Sequence, residues 1–549
     1  MLGPNPVVGI NRRGVFETLY GLMSQALKEP SLFFQHTFHL WSELFEVLKG
    51  TSKIEPDKKD ARFDDLTWKY NPFYNRLMKS YLAIRKELND WLEKSNMSEY
   101  DKKRAHFVMA LFTEALAPSN TALNPVALKR VFETSGLSVV NGMKNFFEDL
   151  VNNGGMPAQV DKKAFELGKN LALTPGSVVY RTEMIELIQY KPTTEKVRAR
   201  PLLVVPPQIN KYYTFDLSPN KSVAKFLVEH LGIQTFVISW RNPTAKHRNW
   251  GFQDYIATVE DAIRVVNEIT GSEDVNLTGA CSGGMTVATL LGNLAVRNEK
   301  KVNSTTLLVS VLDTHAQSDN GTPLGLFATD DAIEAARQHS SKHGILKGED
   351  MAKVFSWMRP NDLVWNYWVN NYLIGNPPPT FDVLYWNADT TQLPAKFHSE
   401  LLDLFKENPL LRNKEEVNVV GMPVNLSKVK SDMYFVAGIT DHITPWEACY
   451  KSIHLFGGKK EFVLSNSGHI QSILNPPGNP KASFMTNDST QPADPKEWYK
   501  GSKLNEGSWW LHWAKWLVAR SGEEKTAPAQ VGNETYKPIV PAPGTYVFE

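Results

Sequence analysis

The chain has 549 residues, 42% of them apolar and 22% charged, so it has material for a real core but is too long for one compact unit, and two or more domains are expected. Lys and Arg number 60 against 59 Asp and Glu, a balance that leaves no net field to draw in nucleic acid or an anionic membrane. Only two cysteines occur, Cys281 and Cys449, which excludes a disulfide framework and a thiolate-rich zinc site and fits a reducing cytoplasm.

The first residues, Met1-Leu2-Gly3-Pro4-Asn5-Pro6, lack the basic segment and apolar run of a secretory signal. The longest apolar runs, 202–205 and 307–312, fall well short of a membrane span. Residues 1–170 read as a helical domain. Asn71-Pro72 and Asn124-Pro125 each put a capping side chain before a proline suited to the first turn, and Ser98-x-x-Asp101 resembles a capping box.

After Thr174-Pro175-Gly176 the pattern changes, and residues 171–549 read as a catalytic domain. Strands are expected at 178–180, 184–190 and 201–205, followed by helix 222–230, strand 234–240, helix 252–270, strand 275–278, helix 282–296 and strand 305–312. Such alternation predicts a parallel sheet covered on both faces. An insertion at about 315–429 holds Trp357, Trp365, Trp368, Tyr372, Tyr385 and Trp386, aromatic material for a cap or lid or for that segment's own packing. The sheet pattern resumes with strand 432–437, a helix from Pro445, strand 461–464 and a helix over 509–520. From Thr526 the Pro- and Gly-containing end reads as a tail.

Gly279-Ala280-Cys281-Ser282-Gly283 lies between a predicted strand and a predicted helix and has the form of a nucleophile elbow with cysteine at its centre. The tight turn lifts the sulfur above the sheet edge and aims a helix N-terminus at it, an arrangement that favours a thiolate. It also offers the Ser282 N–H to a developing oxyanion. A base and an acid must follow. His469 lies in Ser465-Asn466-Ser467-Gly468-His469 after strand 461–464, and Asp441 in the loop after strand 432–437, the chain order this kind of scaffold uses. His442 competes as base and Asp313 as acid. Pro206 and Pro207 follow strand 201–205 without an N–H, so the second oxyanion donor is Gln208 or Ile209. Cys449, at helical spacing from Trp446 and Ile453, reads as a packed core thiol. A cysteine nucleophile suits an incoming thioester, because exchanging one thioester for another is nearly balanced and keeps the acyl group activated.

The elbow, together with PPQINKYY at 206–213, SWRNP at 239–243, RPNDLVWNYW at 359–368 and SGHIQS at 467–472, resembles the polyhydroxyalkanoate synthases over nearly the whole chain, and most closely their class II, medium-chain members. The resemblance implies an α/β fold: an α/β-hydrolase domain with a cap insertion, preceded by a helical N-terminal domain. It implies polymerisation of (R)-3-hydroxyacyl-CoA into a polyester with CoA release, Cys281 holding the acyl group and His469 activating its thiol. Asp441 would orient His469 or assist deprotonation of the 3-hydroxyl. It further implies a homodimer at the surface of cytoplasmic polymer granules, with granule-associated proteins as partners, and no cofactor or metal. The helical N-terminal part would serve dimerisation, granule attachment or simple packing. A polyester depolymerase or thioesterase on the same scaffold is the rival reading, and a non-catalytic granule-binding protein is a second.

Overall fold

The computed structural model describes residues 12–58, 60–313, 330–411 and 415–549. The N-terminal hexapeptide and His315, where the insertion was expected to begin, lie outside them. The chain forms two compact units. Among the described residues no helix is long and apolar enough to cross a membrane.

The first unit contains the described residues up to Asp161 together with 330–332 and 352–380. Its main helices are Arg12–Lys28, Pro30–Lys49, Pro72–Lys94, Glu99–Ala115, Pro125–Glu133 and Leu137–Asn152. The helix starts follow the sequence signals. Asn71 accepts from the N–H groups of Phe73 and Tyr74, and Asn124 from those of Val126 and Ala127. Ser98 Oγ accepts from Asp101 N–H at 3.1 Å, while the Asp101 carboxylate takes the Ser98 hydroxyl instead of its N–H. Each cap satisfies donors that the first turn leaves unpaired, worth about 1 kcal/mol. The core holds Phe63, Trp68, Met78 and Tyr81 in one cluster and Leu22, Trp91, Leu92 and Ala105 in another. Residues 352–380 join this unit through an edge-to-face run of rings, Trp357, Trp365, Trp368, Tyr372 and Phe146, and through Asn145, which donates to the carbonyls of Asn371 and Asn376. Gly142 allows the Tyr372 carbonyl to sit where a Cβ would be.

The second unit contains 162–313, 333–351 and 381–549, less the few residues not described. Its strands are β1 (Gly176–Arg181), β2 (Ile185–Tyr190), β3 (Leu202–Val205), β4 (Thr235–Trp240), β5 (Val275–Ala280), β6 (Val302–Leu308), β7 (Asp432–Gly438), β8 (Lys460–Ser465), β9 (Ser483–Thr486), β10 (Lys503–Glu506) and β11 (Val540–Pro541). They form one sheet in the order β10-β9-β8-β7-β6-β5-β3-β4-β2-β1-β11. The six strands from β4 to β8 run parallel. They are buried along most of their length, and β3, Leu202–Val205, is a continuous apolar run, as expected of strands covered on both faces. Helices Phe252–Thr270 and Ser282–Val296 span the predicted residues.

Three features depart from the sequence reading. The strand expected at 305–312 is β6, ending at Leu308. Val309 adopts φ 44° while its N–H pairs with Val436 O at 2.7 Å, so the chain leaves the ladder there. Both flanks of the sheet are antiparallel, with β9 and β10 added beyond β8. The stretch from Thr526 is not a free tail. β11 pairs with β1, Tyr546 and Val547 are buried, and Arg241 reaches Glu549 at 3.1 Å. The physical cause is Glu186. Its side chain is fully buried and, besides its ion pair with Arg181, takes the Thr545 N–H and hydroxyl and the Tyr546 N–H, so the C-terminal segment supplies donors that a buried carboxylate requires.

Candidate active site

Parallel β3, β5, β7 and β8 all end on the same edge of the sheet, so the loops that follow them meet there. β5 delivers Cys281. The residue sits at φ 50°, ψ −121°, a backbone that costs an ordinary L-residue about 1–3 kcal/mol and is held by its neighbours. Its N–H bonds Leu308 O at 3.0 Å, and its carbonyl accepts from Gly284 and Met285. The flanking glycines are sterically required. A Cβ on Gly279 would lie 2.8 Å from Gly284 Cα, and one on Gly283 would lie 2.5 Å from the carbonyl oxygens of Val205 and Pro206. The elbow thus presses the start of helix Ser282–Val296 against the end of β3.

β7 and β8 deliver Asp441 and His469, the expected acid and base. His469 Nδ1 lies 2.7 Å from Asp441 Oδ2, and both side chains are buried. Asp441 Oδ1 accepts from the N–H groups of Ile443 (2.8 Å) and Thr444 (2.9 Å), and Oδ2 accepts from Thr444 Oγ1 at 2.7 Å. Burial works to raise the Asp441 pKa, but the His469 charge, its hydrogen bond and the Thr444 bonds hold the carboxyl below its ordinary range. Burial works to lower the His469 pKa, yet the Asp441 charge and hydrogen bond outweigh it. Cys281 adds to the effect, and the imidazole is pushed up to about 10. The short helix His469–Ile473 is anchored from behind. Trp509 Nε1 donates to Ser472 O at 2.7 Å and Trp510 Nε1 to Ile473 O at 3.0 Å.

Of the competitors, Asp313 accepts from Asn408 at 3.0 Å. His442 follows Asp441 directly, but the ring on the Asp441 carboxylate is that of His469. Cys449 is 3% exposed, its Sγ lies 3.6 Å from Thr444 O, and burial pushes its thiol well above the ordinary value, as befits a packed thiol.

The loop after β3 lies against the elbow. Gln208 donates its backbone N–H to Ser282 Oγ at 3.2 Å and its side-chain amide to Thr286 Oγ1 at 2.9 Å. Its carbonyl accepts from Thr391 Oγ1. Ile209 follows, half-buried. Lys211 secures the loop through Asp389 and Val547 O, both at 2.8 Å, while Trp386 Nε1 donates to Lys211 O and Tyr213 to Asp389. Sequence reasoning missed Thr444, Trp509, Trp510 and Lys211. Only for Thr444 was there a local signal, an aspartate followed three residues later by a hydroxyl in a turn.

A family model for the N-terminus of poly-beta-hydroxybutyrate polymerase (PhaC) matches residues 59–227, and one for the α/β-hydrolase fold matches 201–476. Poly(3-hydroxyalkanoate) polymerase 1 of Ectopseudomonas oleovorans is 54% identical over 548 residues, which cover 100% of this chain and 97% of that protein. The chain belongs to the poly(3-hydroxyalkanoate) polymerase family. Polymerase 2 of the same organism is 49% identical, over 99% of this chain and 96% of its own length. The poly(3-hydroxyalkanoate) polymerase subunit PhaC of Cupriavidus necator is 39% identical, over 92% and 86%. As a member of the polymerase family the chain is an enzyme, and the α/β-hydrolase fold expected from its sequence is the fold it has.

Proposed function

We propose that this chain polymerises (R)-3-hydroxyacyl-CoA into a polyhydroxyalkanoate with release of CoA, through a covalent thioester on Cys281. The observation that carries the proposal is a cysteine at a positive-φ elbow on the sheet edge to which the neighbouring strands bring an imidazole hydrogen-bonded to a buried carboxylate.

The chemistry follows from that coupling. The Cys281 thiolate attacks the acyl-CoA carbonyl, the carbon–sulfur bond to CoA breaks, and the departing CoA sulfur takes the proton from His469. That transfer leaves His469 neutral beside the acyl-enzyme, ready to act as a base. His469 then accepts the proton of a 3-hydroxyl as its oxygen attacks the thioester. The ester forms, and the thiolate returns beside the imidazolium. Asp441 fixes the ring orientation and stabilises its charge. The Ser282 N–H and the N–H of Gln208 or Ile209 face the developing oxyanion, and for Gln208 this requires Ser282 Oγ to rotate away.

The resemblance to class II synthases supports medium-length side chains. It also supports a homodimer at the surface of cytoplasmic granules. On the helical unit, Phe34, Phe38, Trp41 and Phe45 line helix Pro30–Lys49 at spacings of four, three and four, all more than half exposed, an edge suited to a polyester surface.

The test feeds purified protein 3-hydroxyacyl-CoA. Free CoA, insoluble polymer and an acyl mass adduct on Cys281 are expected, whereas a hydrolase would leave free hydroxy acid. Cys281→Ser should lose the adduct and lower turnover by orders of magnitude with an unchanged circular dichroism spectrum. Polymerisation at the wild-type rate by that variant would move the nucleophile elsewhere.

A further inference from the structure

We propose that His36, His39 and Glu87 form a binding site for one divalent transition-metal ion of the zinc, cobalt or nickel type. The site lies within the helical unit and is independent of the polymerase chemistry.

The residues come together for simple reasons. His36 and His39 are three apart on helix Pro30–Lys49, so both imidazoles point from one face, and Glu87 comes from helix Pro72–Lys94 packed alongside. One ring nitrogen of each histidine and one Glu87 oxygen all lie within 4.8 Å of each other. Metal–nitrogen bonds of about 2.0–2.1 Å place tetrahedral ligands roughly 3.4 Å apart, so small side-chain rotations bring the three onto one ion. Two imidazoles and a carboxylate are borderline donors that suit zinc, cobalt and nickel better than calcium or magnesium.

His36 is 4% exposed, and its Nδ1 lies 2.8 Å from Glu87 Oε2, so the nitrogen and the oxygen that would share an ion already face each other. A histidine–carboxylate pair accounts for Nδ1 but gives no reason for a second imidazole, its ring centroid 5.9 Å away, to gather at the same place. His39 is exposed, which gives an ion a path in and leaves room for water in the remaining positions. The cation already nearby, Lys86, stands 3.3 Å from Glu87 Oε1 and is itself more than half exposed, so an ion displaces it at little cost. Bound metal would pin together two helices, the first of which carries the exposed edge of Phe34, Phe38, Trp41 and Phe45, and so hold that edge in one orientation.

The experiment uses untagged, full-length protein stripped with a chelator and titrated with Co(II), read by its ligand-field absorption, and with Zn(II), read by calorimetry and thermal melting. One ion per chain and a rise in melting temperature are expected. His39→Ala, a change at the surface, should weaken binding roughly tenfold or more and abolish the thermal shift, and Glu87→Gln should weaken it too. Cys281→Ser and His339→Ala should bind as the wild type does, since these remove the active-site thiol and a member of the other close histidine pair, His339 and His343. Absence of binding at millimolar metal overturns the proposal. So does binding that His39→Ala leaves unchanged.

Discussion

His469 Nδ1 stands 2.7 Å from Asp441 Oδ2 in the protein interior, and Thr444 Oγ1 reaches both partners, at 3.1 and 2.7 Å. This contact couples stability to pH. His469 is raised from an ordinary 6.5 to about 10, so its contribution is complete below about pH 6.5 and is lost as pH rises through about 10. Asp441 is held below 3.8, so its contribution is present above that value and is lost as pH falls through the lowered pKa. Urea unfolding of the wild type and of His469→Gln at pH 6, 8 and 10 should therefore give a stability difference that shrinks steadily with pH. A constant difference would mean that the pair does not hold the proton as described.

Asp441→Asn keeps an acceptor for the Ile443 and Thr444 N–H groups but replaces the anion facing His469 with an amide. The ring then loses its charge partner and settles in the other tautomer. CoA release should fall by about 10³–10⁴-fold with little change in KM and with the fold retained. A loss of less than tenfold would reduce Asp441 to a loop-building residue.

Ser282 Oγ occupies the Gln208 N–H in the resting arrangement. Removing it with Ser282→Ala frees that donor while keeping the Ser282 N–H. Turnover should stay within a few-fold of wild type, because the proposed oxyanion contacts come from the backbone. A drop of 100-fold or more, measured as CoA release, would assign the hydroxyl itself a part in the reaction.

Gly283 leaves no room for a side chain, since a Cβ would meet the Val205 and Pro206 carbonyls at 2.5 Å. Gly283→Ala must push the helix start away from the end of β3, at a cost of about 1–3 kcal/mol. Because that interface also aligns the backbone N–H groups around Cys281, turnover should fall more steeply than stability. Denaturant midpoints and CoA release measured together test this, and wild-type values for both would show that the two elements can separate freely.

Much of this protein is legible in local patterns. Asn71, Ser98 and Asn124 mark helix starts because capping acts over three residues. Helix Ser282–Val296 and the elbow before it are equally local, since steric demands at Gly279 and Gly283 follow from a single tight turn. The edge strands β9, β10 and β11 escaped because short edge segments carry little apolar periodicity and are defined by what they pair with. The C-terminal segment reads as a tail for the same reason, since the buried charge of Glu186 that it satisfies lies 359 residues away from Thr545. His36 and His39 had a visible three-residue spacing, but the carboxylate that gives the spacing meaning sits on another helix.

By itself, then, the sequence determined the identity and order of the proposed reactive groups, thiol at 281, carboxylate at 441 and imidazole at 469, because strand–turn–helix grammar and family motifs are written in neighbouring residues. Tertiary structure alone decided their states. The rise of the His469 pKa beside Asp441, the contact of Thr444 with His469, the indole anchors from Trp509 and Trp510, and the Gln208 N–H held by Ser282 arise between residues far apart in the chain. Burial and distance set electrostatic and hydrogen-bond strengths, and neither exists until the sheet brings its loops to one edge.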